Sequence, residues 1–161
     1  MSKLFVPYTT IQPATKMVLM HYNYEPVRMT DSDSYLNFFK KRWEEGESFI
    51  NIEHDVIFGR GAIEELERCP KGWCAFGTSE SDSFDNGTTA PLALAKFSSW
   101  FIEEYPNLWK EKPVELKDYK NPTWQICDIW IQRYMEPKVC HQHYPSIVNA
   151  NPVKNVVKVI S

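Results

Sequence analysis

Ser48-Phe49-Ile50-Asn51-Ile52-Glu53-His54-Asp55-Val56-Ile57-Phe58 is the stretch on which the reading of the chain turns. Phe49, Ile50 and Ile52 make an apolar run of the kind that a strand buried on both faces of a sheet requires. The run stops abruptly at two carboxylates, Glu53 and Asp55, with His54 between them. Open α/β sheets bind their ligands at the carboxyl ends of such strands. In extended chain Glu53 and Asp55 point to the same side, and a turn at His54 still lets them converge. Their oxygens suit a hard divalent cation, Mn²⁺ or Mg²⁺. The plain alternative is a pair of solvated acids at a strand end.

Upstream, Lys3-Leu4-Phe5-Val6 reads as a short strand stopped by Pro7, and Pro13 is suited to the first turn of a helix. Pro26 to Met29 is a second, weaker strand. Asp31, Ser32 or Asp33 caps a helix with Tyr35, Leu36, Phe39 and Trp43 at helical spacing, which Gly46 ends. The order β-α-β-α-β predicts a parallel, right-handed half-sheet with Phe49–Ile52 at its centre.

Downstream, Ala62 to Arg68 reads as a short helix and Trp73 to Phe76 as a further buried strand. Thr78 to Thr89 is rich in Ser, Asp, Gly and Thr and is expected to be a mobile loop beside a site. Pro91 to about Glu104 reads as one helix with Leu94, Phe97 and Phe101 on a face. Asn121-Pro122 opens a last helix, with Trp124, Cys127, Ile131 and Tyr134 on its apolar side. His141 to Pro145 is expected in a C-terminal loop, and Val156 to Ile160 as a final strand or frayed end.

Composition narrows the class. A chain of 161 residues with 14% aromatics is long enough for a core and unlike a disordered segment. A net charge of −3 gives no basic footprint for nucleic acid. No apolar run approaches the roughly 20 residues of a membrane span. The amino-terminal apolar stretch is too short for a signal peptide, so a cytoplasmic setting with reduced cysteines is expected.

Two further groups carry chemistry. His141-Gln142-His143 offers imidazole ligands to a cation held by Glu53 and Asp55, or is simply a pair of surface histidines. Asp128 is the one charge in Trp124–Ile131. It is therefore either partly buried or facing a cleft, and either setting suits a general base. No basic residue lies at i±3 or i±4, so its partner comes from another element or from a substrate hydroxyl. Cys69, Cys74 and Cys140 with His141 or His143 form a rival, zinc-like set. Paired CxxC spacing is absent, and buried free thiols are the simpler reading.

Taken together, these residues resemble small phage and viral proteins related to the GT-A glycosyltransferases. The pattern runs through Val6-Pro7-Tyr8 with Pro13 and Thr15, Trp43 to Phe49 with Gly46 between, and Glu53-His54-Asp55. It continues through Cys69-Pro70 with Trp73-Cys74, Trp124 with Cys127-Asp128, and His141-Gln142-His143-Tyr144-Pro145. It covers about residues 4 to 146, and its specificity lies in order and spacing rather than in any one piece. The resemblance implies a GT-A-like, Rossmann-like α/β fold in one domain, residues 1–161, with about 147–161 as a loosely packed tail. Its central sheet would be mixed, mainly parallel and flanked by helices.

The resemblance also implies a nucleotide-diphosphate sugar donor (UDP- or GDP-linked), an unknown acceptor, and host cytoplasm as the setting if the chain is viral. Glu53 and Asp55 would hold the metal on the diphosphate, aided by His143 or His141. Val6, Pro7, Tyr8 and Thr9 would border the nucleoside, and Asp128 would deprotonate the acceptor. The chain is shorter than most GT-A enzymes, whose longer second half builds the acceptor site. Two rival functions use the same residues: a metal-dependent phosphoester or nucleotide-sugar hydrolase, and a non-catalytic nucleotide-sugar or carbohydrate-binding module.

Overall fold

Phe49, Ile50 and Ile52 form, with Asn51, a strand buried at every position, its apolar side chains covered on both faces and the Asn51 amide hydrogen-bonded. A computed structural model describes residues 1–78, 92–113, 125–135 and 139–149. In chain order the elements are β1 (Lys3–Tyr8), α1 (Pro13–Leu19), β2 (Tyr24–Arg28), α2 (Ser34–Glu45), β3 (Phe49–Ile52) and β4 (Val56–Ile57). They continue with α3 (Ala62–Arg68), β5 (Trp73–Thr78), β6 (Leu94–Phe97), α4 (Ser99–Glu104), α5 (Gln125–Tyr134) and β7 (His141–Asn149).

The strands lie in the order β2-β1-β3-β6-β5-β7-β4. β1 pairs parallel with both β2 and β3, and β5 pairs parallel with β7. β6 is antiparallel to β3 and to β5, and the short β4 is antiparallel to β7. Five strands of the main sheet thus share one direction and β6 alone opposes them. This is the mixed, mainly parallel α/β sheet expected, with β3 central.

The chain leaves β1 through α1 to β2 on one side, then returns through α2 to β3 on the other side of β1. The carboxyl ends of β1 and β3 therefore flank the point where strand order reverses, which is where open α/β sheets form a ligand crevice. The two helices cover opposite faces. Tyr35, Phe38, Phe39 and Trp43 of α2 pack with Phe49, Phe97, Trp109, Cys127, Trp130 and Ile131. Leu19 of α1 and Ile63 and Leu66 of α3 pack with Ile50, Ile52, Cys74 and Phe76 on the other face.

Residues 92 to 104 depart from the single helix expected from Pro91 to about Glu104. Leu94, Ala95, Lys96 and Phe97 form β6, and only Ser99–Glu104 is helical. All four β6 side chains are buried. A strand covered on both faces carries apolar residues without alternation, so Leu94, Phe97 and Phe101 mimic helical spacing. His141 to Pro145 is likewise not loop but the start of β7, which runs on to Asn149 with Ile147 buried. On α5, Cys127, Trp130 and Ile131 face the core, followed by Met135, while Tyr134 is exposed. Trp124, residues 79–91 and residues 150–161 lie outside the described residues. Among the described residues no helix is long and apolar enough to cross a membrane.

Candidate functional site

The β1–β3 ladder pairs Lys3 with Phe49, Leu4 with Ile50 and Phe5 with Asn51. Pro7 has no N–H to give and sits beyond that ladder. The two chains stay joined past it by other means. The Thr9 backbone N–H donates to His54 Nδ1 at 2.9 Å, and the Gln12 N–H donates to the His54 carbonyl at 2.9 Å. Val6 and Pro7 are buried, Tyr8 is half-buried and Thr9 is exposed. Val6–Thr9 and Glu53–Asp55 are thereby brought together at one end of the sheet. His54 has a definite task here. Its Nδ1 accepts a hydrogen bond, and burial lowers the imidazole pKa below its ordinary 6.5, with the charge of Asp55 opposing. The ring is held neutral and acts as a clasp between the ends of β1 and β3.

Glu53 and Asp128 come together through the segment that leads into β6. The Glu53 N–H donates to the Ala93 carbonyl at 2.8 Å, and Asp128 Oδ1 accepts from the Leu92 N–H at 3.3 Å. Asn51, buried in β3, donates through Nδ2 to the Leu92 carbonyl and to the Tyr35 hydroxyl. Tyr35 is within electrostatic reach of both acids: burial, then Glu53, Asp128 and Cys127, push its phenol well above the usual range, against the Asn51 hydrogen bond. Burial, then Asp128 and Glu53, does the same to the Cys127 thiol. Glu53 and Asp128 are both half-buried. Asp128 lies in the first turn of α5, where the helix dipole favours a carboxylate. Its partnership with a backbone N–H from another element answers the missing local ion pair.

Asp55 is half-buried in the turn between β3 and β4, within electrostatic reach of His54. His143 is placed in a different cluster. It lies on β7 opposite Phe76 of β5, and its Nδ1 is 2.9 Å from Glu65 Oε1 on α3. Its ring packs on Phe76 at 5.4 Å between centroids, on the face covered by α1 and α3. Tyr35 and Cys127, the neighbours of Glu53, belong to the other face. The only set of at least three His, Cys, Asp or Glu side chains poised around one point, among the described residues, is Cys69, Cys74 and His143. His141 is exposed at the start of β7, its ring 4.8 Å from that of His143.

Sequence reasoning missed Tyr35 and the backbone of Leu92 and Ala93 as neighbours of the acids. Tyr35 reads as one more apolar position of α2, and nothing local marks its hydroxyl as facing β3. Two clefts lined by described residues lie at the opposite, amino-terminal end of the sheet. One of about 700 Å³ is bordered by Leu4, Tyr22, Tyr24 and Glu64, and one of about 430 Å³ by Trp43, Gly46 and Trp109.

No model of a known protein family matches the chain, and no curated protein matches it. Among solved structures it is similar to the crystal structure of a glycosyltransferase involved in the glycosylation of the major capsid of PBCV-1. That likeness covers 99% of this chain and 98% of the other, with a TM-score of 0.53 and 9% sequence identity. The chain therefore has a glycosyltransferase-like fold.

Proposed function

We propose that this protein is a metal-dependent glycosyltransferase of GT-A type, moving a sugar from a nucleotide-diphosphate donor to an acceptor hydroxyl. The observation that carries the reading is that Glu53, just past β3, and Asp128, on α5, are both held by the segment leading into β6, Glu53 through the Ala93 carbonyl and Asp128 through the Leu92 N–H. The likeness of fold to a viral glycosyltransferase supports it.

In this reading Glu53 and Asp55 hold Mn²⁺ or Mg²⁺. The donor set fits: two carboxylates in three residues at a strand end present only oxygen, as these ions prefer. Such an ion, when bound, neutralises charge on a departing diphosphate. Val6, Pro7, Tyr8 and Thr9 border the nucleoside, with the backbone around Thr9 fixed by His54. Asp128 takes the acceptor proton as the new glycosidic bond forms. Oδ1 is oriented by the Leu92 N–H. The cation reading rests on Glu53 and Asp55, since His143 lies with Cys69 and Cys74.

The test is a screen of UDP- and GDP-sugars with Mn²⁺ against a panel of sugar acceptors, reading nucleoside diphosphate release. Acceptor-dependent release is the expected result. Release that ignores the acceptor would favour the hydrolase, and saturable donor binding with no release would favour the binding module.

A further inference from the structure

The turn Cys69-Pro70-Lys71-Gly72-Trp73-Cys74 brings the end of α3 into β5, and it is tightly pinned. The Cys69 N–H donates to the carbonyls of Glu65 and Leu66, and its own carbonyl accepts from the buried Lys96 ammonium. The Gly72 carbonyl accepts from the Ser98 N–H at 2.8 Å. Both thiols are buried, and β7 runs parallel beside β5, pairing Cys74 with His141 and Phe76 with His143. The Cys69 and Cys74 sulfurs and a ring nitrogen of His143 consequently lie within 4.8 Å of one another.

His143 is the telling member. It is 8% exposed, and its Nδ1 is engaged by the Glu65 carboxylate. Its Nε2 is fully buried with no hydrogen-bond partner among the described residues. A buried, unsatisfied imidazole nitrogen costs free energy unless something occupies it. A metal-ligating histidine characteristically gives its other ring nitrogen to a carboxylate, which fixes the tautomer and raises ligand basicity. Glu65 and His143 form that arrangement, with a ring nitrogen of His143 within 4.8 Å of two sulfurs.

We propose that Cys69, Cys74 and His143 bind a structural Zn²⁺, with Glu65 as the positioning residue for His143 and Cys140 as the candidate fourth ligand. Thiolate and imidazole together select zinc over Mn²⁺ or Mg²⁺, so this site is chemically distinct from the carboxylates of Glu53 and Asp55. Cys140 is buried just before β7 and in electrostatic reach of both thiols. Zinc bonds of about 2.3 Å to sulfur and about 2.0 Å to nitrogen imply that the ligand atoms draw in by about 1 Å on loading. Each ligating thiol releases its proton to solvent as its sulfur bonds the metal. Three thiolates and one imidazole around Zn²⁺ leave one net negative charge, which the nearby Lys96 ammonium offsets. The site would tie α3, β5 and β7 together and so lock the β7 edge of the sheet, independently of any sugar chemistry.

The test uses the full chain, purified under reducing conditions without chelator. Bound metal is measured by elemental mass spectrometry, and Co²⁺ is then titrated into the metal-free protein. We expect about one zinc per chain. With Co²⁺ we expect the intense visible bands of a tetrahedral site, together with a thiolate-to-cobalt charge-transfer band that Cys74→Ser removes. Because Cys74→Ser alters a fully buried position, Glu65→Gln is the second variant. Glu65 is 42% exposed, so this change spares the core, and it should weaken zinc binding about 10–100-fold in competition with a chromophoric chelator. A folded protein with no zinc and no thiolate–cobalt band would overturn the proposal. So would cobalt bands without sulfur character, or a Cys69–Cys74 disulfide in protein purified under reducing conditions.

Discussion

Asp128 shows how much a single side chain decides. Its Oδ1 accepts from the Leu92 N–H, and an asparagine amide oxygen can do the same. Asp128→Asn should therefore keep the fold, with stability changed by no more than about 1 kcal/mol in urea unfolding. Transfer should fall about 10²–10⁴-fold, the usual worth of a positioned base. Full turnover in that variant would remove Asp128 from the chemistry. His54 gives a second residue-scale test. Its pKa is lowered in the fold, so as pH falls the unfolded chain takes up the proton first. Its contribution to stability is fully present above about pH 6.5 and is lost as the pH drops towards the lowered value. Protonating Nδ1 also ends its acceptance of the Thr9 N–H. In chelator-treated protein, the melting temperature should decline between pH 7 and 5 with a slope that His54→Asn flattens. At this scale the acids, His54 and Asp128 were visible in the sequence as residues. Tyr35 and Leu92 were not, because a hydroxyl on an apolar helix face and a backbone N–H leave no local signature. His143 was visible as a ligand type, but its partners depend on strand pairing between residues far apart in sequence.

Among the elements, β3 was legible because burial on both faces leaves no polar alternation to confuse, and its abrupt acidic end marks the carboxyl edge. The same property misled at β6, where two-sided burial imitates a helix over Leu94, Phe97 and Phe101. Lys96 deepens the ambiguity: a lysine in a fully buried strand is rare, and here its ammonium finds the Cys69 carbonyl. β7 reads as loop in sequence because Pro145 interrupts it, and in the structure its pairing with β5 shifts register between Phe76 and Thr78. The turn into β5 provides the element-scale prediction. A Cβ on Gly72 would sit 2.7 Å from Phe101 Cβ and 2.7 Å from Trp100 Cη2. Trp100 is half-exposed and can swing away, but Phe101 is buried and cannot. Gly72→Ala should cost about 1–3 kcal/mol through overpacking. Gly59→Ala meets nothing within 4 Å and should stay within about 0.5 kcal/mol. Urea melts of the two variants side by side would show whether the close approach of α4 to this turn is as tight as described.

For the molecule as a whole, the order of elements carried more information than any motif. The β-α-β-α-β opening implies right-handed crossovers on opposite faces, and these place the strand-order reversal between β1 and β3. Once that point is fixed, Glu53, Asp55 and Val6–Thr9 fall beside it without further assumption, and α5 brings Asp128 to the same edge from one face. The central claim is that this edge binds a nucleoside diphosphate through a cation held by Glu53 and Asp55. Isothermal titration of UDP and of GDP, with and without Mn²⁺, tests it most directly in the wild type and in Asp55→Ala. Saturable binding of at least one nucleotide that requires Mn²⁺ and is lost in a folded Asp55→Ala variant is the predicted result. Binding that is indifferent to Mn²⁺, or unchanged in Asp55→Ala, would contradict it.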